Sequence, residues 1–328
     1  MRWSRLLSSR KTVFFGLDIS FSTLKLLELY CADDHYWVNS YGHCVLGNDV
    51  MQGHFVRDIP ALSQSIQQLL NDVGLYPRSD VILEAVIAVP DACTISKTIS
   101  VSDRLNDQDL EELVRIELEK FVPGTTADLC YDFKRMGSSS PGALRNLLIV
   151  ATRIQHVQDR IEALQLAGLR AKVVDIESFA IQRAFSFIVA SPNENEVIIV
   201  LDVSVHALKV YFFKGATLVF LREEELSSVA MDQSALLYGE SLMLRLKRAC
   251  HFFYAAHAQS GEITQILLCG DGADDGDLLR VISKNFNKST SIVNPFRHIR
   301  GADGVDMTSL LTNASSYLTA CGLAKRGC

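Results

Sequence analysis

An aspartate, a serine and a lysine occur twice in this chain at the same spacing, once in segment 13–25 and once in segment 197–209. The segments align without a gap, and each has an apolar stretch, the aspartate, a short turn and a second apolar stretch. The matched residues are Asp18 and Asp202, Ser20 and Ser204, and Lys25 and Lys209. A hairpin repeated at the start of both halves predicts a pseudo-two-fold architecture.

Each predicted hairpin has the residue types that a phosphate site uses. A tight turn after a strand directs successive backbone N–H groups outward, which suits an anion. Small residues in the turns, such as Ser20, Ser22 and Ser204, let the backbone approach a ligand closely. Asp18 and Asp202 at the strand ends can hold Mg²⁺ through water. In one copy alone, the aspartate would be expected only to cap a strand, but the matched pair favours a clamp on one polyphosphate.

A glycine-rich turn follows a third apolar strand, at 263–269. Gly270 and Gly272 there leave room for a flat adenine and its ribose. The alternative is an ordinary turn, because Gly-Asp-Gly is common in turns. Its place in the second half of the chain favours the nucleotide interpretation.

The hydrophobic pattern predicts two α/β lobes and a small inserted unit. Strands of the first lobe are predicted at 13–19, 24–30, 36–46 and 81–89, with a helix that Asp58 caps. The inserted unit is predicted to have strands at 94–101, 129–135 and 146–151 and helices starting at 107 and 155. The second lobe is predicted to have strands at 197–203, 208–213, 217–221 and 263–269 and a long helix within 234–258.

These elements predict three domains, separated most clearly by the polar linker at 191–196. Residues 1–90 are expected to form the first lobe, to which 170–195 and the C-terminal helix 315–328 return. Residues 91–169 are expected to form the inserted small α/β subdomain, and 196–314 the second lobe.

The composition of the chain argues against several classes of function. The chain has 328 residues and a net charge of −6, which argues against a broad nucleic-acid surface. Its eight cysteines form no C-x-x-C pair, so we expect reduced thiols and no structural zinc. No apolar run approaches the roughly 20 residues of a membrane span. The basic segment 1–11 is expected to be a frayed tail, with contact to anionic lipid as the alternative.

The motifs that carry a family resemblance are spread along the chain, at 16–19, 24–25, 111–119, 121–123, 129–133, 174–180 and 294–296. With these motifs the chain resembles the PilM family of type IV pilus assembly proteins, within the actin-like superfamily. The resemblance implies a two-lobed, actin-like or ribonuclease H-like α/β fold. It also implies a cytoplasmic protein, peripheral on the inner face of the inner membrane. The implied partners are the cytoplasmic N-terminal tail of PilN, in a groove beside 91–169, and other proteins of the pilus platform.

The resemblance further implies ATP and Mg²⁺ as cofactors. The residues assigned to nucleotide are Asp18, Ser20, Ser22, Lys25, Asp202, Ser204, Gly270 and Gly272, with Asp18 and Asp202 also assigned to Mg²⁺. Ser20, Ser204 and Asp271 stand where the family has glycine, and each added side chain crowds the approach to a ligand. We therefore expect weak nucleotide binding or none, with negligible turnover, and we assign no catalytic residue.

Two alternatives stay open. A sugar kinase of the same superfamily needs a catalytic aspartate at a strand end, where Asp91 is the candidate, although a turn role after Pro90 is favoured. A filament protein like FtsA needs a C-terminal amphipathic helix after a linker, which the segment 323–328 does not provide. His206, in the second predicted turn, is expected to be a turn residue.

Overall fold

The computed structural model describes residues 11–33, 35–76, 80–122, 126–137, 144–226, 235–274 and 276–328, with side chains from 239 onward in the helix that begins at 235. Most of the basic segment 1–11, the helix break at 123–124 and most of the turn at 137–142 lie outside the described residues. The segment 222–228, noted for lacking a family glycine pair, is described only to residue 226.

The strands are β1 (Lys11–Ile19), β2 (Thr23–Ala32), β3 (His35–Val45), β4 (Met51–Gln52), β5 (Phe55–Val56), β6 (Val81–Val89), β7 (Thr94–Ser102), β8 (Leu129–Met136), β9 (Leu144–Arg153), β10 (Arg170–Ile176), β11 (Glu196–Val203), β12 (Ala207–Lys214), β13 (Thr217–Glu225), β14 (Glu262–Cys269), β15 (Ser289–Ile292) and β16 (Arg300–Gly301). The helices are α1 (Ile59–Asp72), α2 (Asp107–Phe121), α3 (Ile154–Leu166), α4 (Glu177–Ile188), α5 (Ala235–Ala256), α6 (Gly276–Phe286), α7 (Met307–Thr312) and α8 (Leu318–Gly327). The predicted elements are therefore present, and β4, β5, β16 and α7 are additions that the pattern did not indicate.

The two large sheets share one topology. The first has the order β10-β6-β1-β2-β3-β16, and the second has the order β13-β12-β11-β14-β15. In both, the first three strands in sequence are antiparallel neighbours, and two further strands add in parallel beside the first. The central strands β1 and β11 are apolar on both faces because helices cover both sides of such sheets. This arrangement confirms the predicted pair of like halves. We call the first sheet with its packed helices the first lobe, and the second sheet with α5 and α6 the second lobe.

The inserted unit has a core of its own. Its three strands pair antiparallel in the order β7-β9-β8, and α2 covers one face. The core residues are Val101, Leu110, Val114, Leu118, Val122, Leu147, Ile149 and Ala151. The predicted domain boundaries stay a prediction. Helix α3 falls within the predicted insertion, but its Ala163 and Leu164 pack in the first-lobe core beside Leu62 and Ile66 of α1.

Two helices, α4 and α8, form a layer between the two large sheets. Ile181 and Phe185 of α4 share one buried cluster with Leu27 of the first sheet and Phe213 of the second. The rings of Phe185 and Phe213 stack at 4.0 Å between centroids. Helix α8 packs so closely on α4 that a Cβ on Gly322 would lie 1.8 Å from the carbonyl oxygen of Ala180. The lobes are therefore joined by a common core beneath the cleft.

Among the described residues, no helix is both long and apolar enough to cross a membrane.

Candidate functional site

The two β-turns that follow β1 and β11 have the same internal hydrogen bonds. The backbone N–H of Ser20 donates to the Thr23 carbonyl at 3.0 Å, and that of Ser204 donates to the Ala207 carbonyl at 3.0 Å. Each serine hydroxyl also donates to the same carbonyl, at 2.9 Å and 3.0 Å. In addition, each hydroxyl accepts from the N–H of Thr23 or Ala207. Both serines therefore close their own turns, and the sequence repeat is a repeat of geometry.

The turns meet at a cavity of about 310 Å³ between the lobes. Seven of the eight residues predicted to bind nucleotide line it, namely Asp18, Ser20, Ser22, Lys25, Asp202, Ser204 and Gly270. The eighth, Gly272, is not among the lining residues, and its backbone N–H donates to the Val203 carbonyl at 2.9 Å. The structure brings the predicted residues together, while their role toward nucleotide stays a prediction.

The aspartates sit opposite the lysines in both hairpins, since Asp18 pairs in register with Lys25, and Asp202 with Lys209. Burial raises the pKa of Asp18 to about 7, although the nearby charge of Lys25 opposes this shift. Burial likewise raises the pKa of Asp202 to about 6, against the opposing charge of Lys209. Both carboxyl groups are therefore partly protonated near neutral pH, because removing a carboxylate from water disfavours the charged form.

Both hairpin lysines form ion pairs with carboxylates from outside their own hairpin. Lys25 Nζ lies 2.9 Å from Oδ1 of Asp271, in the turn after β14 of the second lobe. Lys209 Nζ lies 2.5 Å and 2.6 Å from the two carboxylate oxygens of Glu177, the first residue of α4. Burial lowers the pKa of Lys209, but the charges of Glu177, Asp202 and Glu223 together with the hydrogen bond to Glu177 outweigh burial, and the net effect is a raised pKa. The lysines are thus neutralised within the protein.

Gly270 is required by packing. Its φ is +91°, and a Cβ there would lie 2.2 Å from Oδ1 of Asp202 and 2.5 Å from the Val203 carbonyl oxygen. Its backbone N–H donates to the Ser315 carbonyl at 3.2 Å. The glycine-rich turn therefore rests directly on the second hairpin, and its glycine is explained without a ligand.

Asp91, the candidate base of the kinase alternative, is placed at the start of α4. Its carboxylate accepts hydrogen bonds from the backbone N–H of Ser178 at 2.9 Å and from the Ser178 hydroxyl at 2.5 Å. Burial, followed by the charge of Glu177, raises the pKa of Asp91 to about 7. Asp91 also begins the short turn Asp91–Cys93 after Pro90, the turn role that the sequence favoured. Its carboxylate caps α4 in addition, which the sequence did not predict.

Known proteins resemble this chain in sequence and in fold. The family model described as type IV pilus assembly protein PilM matches residues 16–239 and 233–328. The chain belongs to the PilM family. In a solved PilM-PilN type IV pilus biogenesis complex, one chain superposes with a TM-score of 0.79 at 22% identity, over 95% of this chain and 98% of that chain.

Two further solved structures share the fold at lower similarity. One, from Bacteroides thetaiotaomicron, is described as a protein with actin-like ATPase fold and unknown function. It has a TM-score of 0.51 and 13% identity, over 93% of this chain and 97% of that chain. The other is the ethanolamine utilization protein EutJ from Carboxydothermus hydrogenoformans, with a TM-score of 0.53 and 12% identity, over 94% and 88% of the two chains. The expected actin-like fold is confirmed.

This fold implies a nucleotide in the cleft, so we asked whether the residues present fit one. The outward backbone N–H groups of both turns remain, and those of Phe21 and His206 donate to no residue in the described ranges. An aromatic contact, however, spans the gap between the two turns. The rings of Phe21 and His206 approach from opposite turns to 3.8 Å between centroids, with an interplanar angle of 55°. A polyphosphate clamped between the turns would have to displace this contact.

The charge of the cavity also disfavours a polyphosphate. Its acidic lining residues are Asp18, Glu177, Asp202, Glu223, Glu225 and Asp271. Its basic lining residues, apart from histidine, are Lys25, Arg160 and Lys209. Both lysines are already paired, and Arg160 donates to the carbonyls of His156 and His54 at 3.0 Å and 2.9 Å. The actin-like fold therefore suggests a nucleotide site, whereas the acidic lining and the paired lysines disfavour a polyphosphate between the two turns.

Sequence reasoning missed several residues that shape this site. Glu177 lies within a motif used for the resemblance but was assigned no role, and Asp271 was expected only to crowd the approach to a ligand. Phe21 gave no signal, and His206 was expected only to form its turn. The contacts of these residues join distant segments, so no local pattern could have indicated them.

Proposed function

We propose that this protein is a cytoplasmic scaffold of the type IV pilus assembly platform, peripheral on the inner face of the inner membrane, and that it binds the cytoplasmic N-terminal tail of PilN. One observation carries the proposal. The likeness to the chain of the PilM-PilN complex extends over 95% of this protein, including the inserted unit. The family match supports the role in pilus assembly.

The inserted unit offers a surface for an extended peptide. Side chains alternate between the faces of a strand, so Leu147 and Ile149 of β9 pack under α2 while Leu148 and Val150 point to the opposite face. These two side chains are half-buried and belong to none of the core clusters. We call this face, with Ser96 of β7 directly opposite Val150, the open face.

The open face adjoins the first lobe through α3. This helix follows β9 without a break, lies beside β8 and β9, and packs in the first-lobe core. A seam therefore runs between the inserted unit and the lobe. Edge strand β7 has one side without a strand partner among the described residues. An extended segment can add to such an edge by backbone hydrogen bonds while its side chains enter pockets on the face.

The test is binding of a fluorescent peptide with the N-terminal cytoplasmic sequence of PilN, followed by anisotropy with the full-length protein. Ser96 is exposed, so Ser96→Lys places a long charged side chain on the open face without disturbing a core. We expect binding to weaken at least about tenfold, a loss typical of a blocked interface centre. Leu244→Lys, at a side chain that is 69% exposed on α5, is the matched control and should bind like the wild type.

Two results would contradict the proposal at different levels. No binding by the wild type would remove the PilN assignment. Binding that Ser96→Lys and a second open-face variant, Val150→Lys, both leave intact would place the peptide elsewhere on the protein.

A further inference from the structure

The cleft is crossed by side-chain contacts that join one lobe to the other. Lys25 pairs with Asp271, and Lys209 pairs with Glu177. A third pair links the β4–β5 hairpin to β13, where His54 Nε2 lies 3.0 Å from Oε1 of Glu223. These pairs lie in the lining of one cavity, so they act on the same opening between the lobes.

A contact between two aromatic rings also joins the lobes. Phe21 comes from the turn after β1 and His206 from the turn after β11, so their rings, 3.8 Å apart between centroids, form a contact between the two turns. Burial lowers the pKa of His206, which favours the neutral ring in this contact. An aromatic pair of this kind adds to the stabilisation from buried area alone.

We propose that this protein joins its two lobes across the cleft with its own side chains, with the Phe21–His206 contact spanning the gap between the two turns that a nucleotide phosphate would bridge. The Lys25–Asp271 and Lys209–Glu177 ion pairs and the His54–Glu223 contact join the lobes beside it. The approach of the two lobes in this chain is therefore held by side chains and is independent of nucleotide. The proposal rests on the cleft alone and does not depend on PilN binding.

The contact between the rings of Phe21 and His206 predicts coupling between the two turns. Each ring restrains the opposite turn, because that turn carries the ring it contacts. Hydrogen–deuterium exchange, read by mass spectrometry on peptides covering 18–25 and 202–209, measures this coupling. Phe21→Ala should accelerate exchange in 202–209 of the opposite lobe by about 3- to 10-fold, the range expected for one lost aromatic pair. His206→Ala should have the reciprocal effect on 18–25.

Tyr30→Ala is the matched control. Tyr30 stacks on Trp37 at 6.2 Å between centroids, and both residues belong to the first sheet and lie outside the cavity lining. This variant loses a similar aromatic contact and should leave exchange in 202–209 unchanged. If Phe21→Ala does not fold, Phe21→Leu retains bulk, loses the ring and should give the same direction of effect.

The second measurement adds 2 mM ATP with Mg²⁺ to the wild type. We expect no change in exchange of either turn and a shift in melting temperature below about 1 °C, because a ligand stabilises only when it binds the folded state. Protection of both turns by Mg²⁺-ATP, or a shift of about 3 °C or more, would overturn the proposal. Unchanged exchange in 202–209 for Phe21→Ala, Phe21→Leu and His206→Ala together would overturn it as well.

Discussion

Lys209 of the second hairpin and Glu177 at the start of α4 form an ion pair in which the side chains are only 14% and 12% exposed. The pair links β12 to the layer of helices between the sheets. Asp202 adds a second carboxylate near Lys209, and its charge raises the pKa of the lysine further. Lys209 is therefore the cation that offsets the negative charge of both Glu177 and Asp202.

Replacing Lys209 should destabilise the protein strongly. Lys209→Met leaves Glu177 buried without its partner, and breaking a buried pair in this way costs about 3–5 kcal/mol in the free energy of unfolding. The double variant Lys209→Met with Glu177→Met should recover much of this loss, because Glu177 no longer lacks a partner and Asp202, whose pKa is already raised by burial, can take up a proton. Urea unfolding provides the measurement. Lys288→Met removes a pair whose acid, Glu262, is 76% exposed, and should cost at most about 1 kcal/mol. Equal costs for the two lysines would contradict the prediction.

Asp18→Asn should stabilise the protein above neutral pH. The pKa of Asp18 is about 7 in the folded state, above the unfolded value of about 3.9. Between about pH 4 and 7, Asp18 therefore stays protonated in the folded state but is ionised in the unfolded state. As pH rises through this window, the free energy of unfolding falls, because the folded state binds the extra proton. Asparagine has no proton to lose. The free energy of unfolding of Asp18→Asn should therefore exceed that of the wild type by an amount that grows to about 2–4 kcal/mol by pH 8.

Thermal unfolding of both proteins across pH 4.5–8 measures this difference. Asp49→Asn, at a side chain that is 90% exposed, serves as the control and should track the wild type at every pH. A constant difference between Asp18→Asn and the wild type would show that Asp18 is ionised in the folded protein at all these pH values.

Restoring the family glycines at the turns should not create a nucleotide site. Ser20→Gly and Ser204→Gly each remove the hydroxyl that closes a turn, at a cost of about 1 kcal/mol per turn. The contact between Phe21 and His206 remains in the double variant. We therefore expect a lower melting temperature and no calorimetric heat of binding with Mg²⁺-ATP. Measurable binding would show that the serines, and not the rings, exclude the ligand.

The approach of α8 to α4 tolerates no side chain at Gly322. A Cβ there would overlap the Ala180 carbonyl, and the backbone would have to shift, which we expect to cost about 3 kcal/mol or more. Gly276→Ala, at the start of α6, meets no atom within 4 Å and should be neutral or slightly stabilising. Far-UV circular dichroism during heating distinguishes the two variants, and similar melting temperatures would contradict the close packing.

The repeat made the paired hairpins predictable, because Asp18 and Lys25 lie close enough in sequence for local pairing to fix their register. Apolar alternation and Asp58 likewise predicted strands and a helix start, and Oδ1 of Asp58 accepts from the N–H of Ala61 at 2.8 Å. The partners of the hairpins were not predictable in this way. Lys25 and Asp271 meet only after both lobes have formed, so their contact depends on tertiary packing.

The expected weakening of nucleotide binding was attributed to Ser20, Ser204 and Asp271, because each adds a side chain where the family has glycine. In the structure the hydroxyls of Ser20 and Ser204 close their own turns, and Asp271 pairs with Lys25. The rings of Phe21 and His206 meet between the turns. The sequence could not predict this ring contact, because it joins turns from the two lobes.

The two sheets differ in how far along the chain their strands and packing helices extend. All strands of the second sheet come from one uninterrupted stretch, β11 to β15, whereas the first sheet packs on α8, which follows all of them. During synthesis on the ribosome, where domains fold as they emerge, the second lobe can complete its hydrogen bonds while β1 still awaits the helix that contacts Gly16. The half that is translated first therefore lacks its last packing helix until α8 has been made.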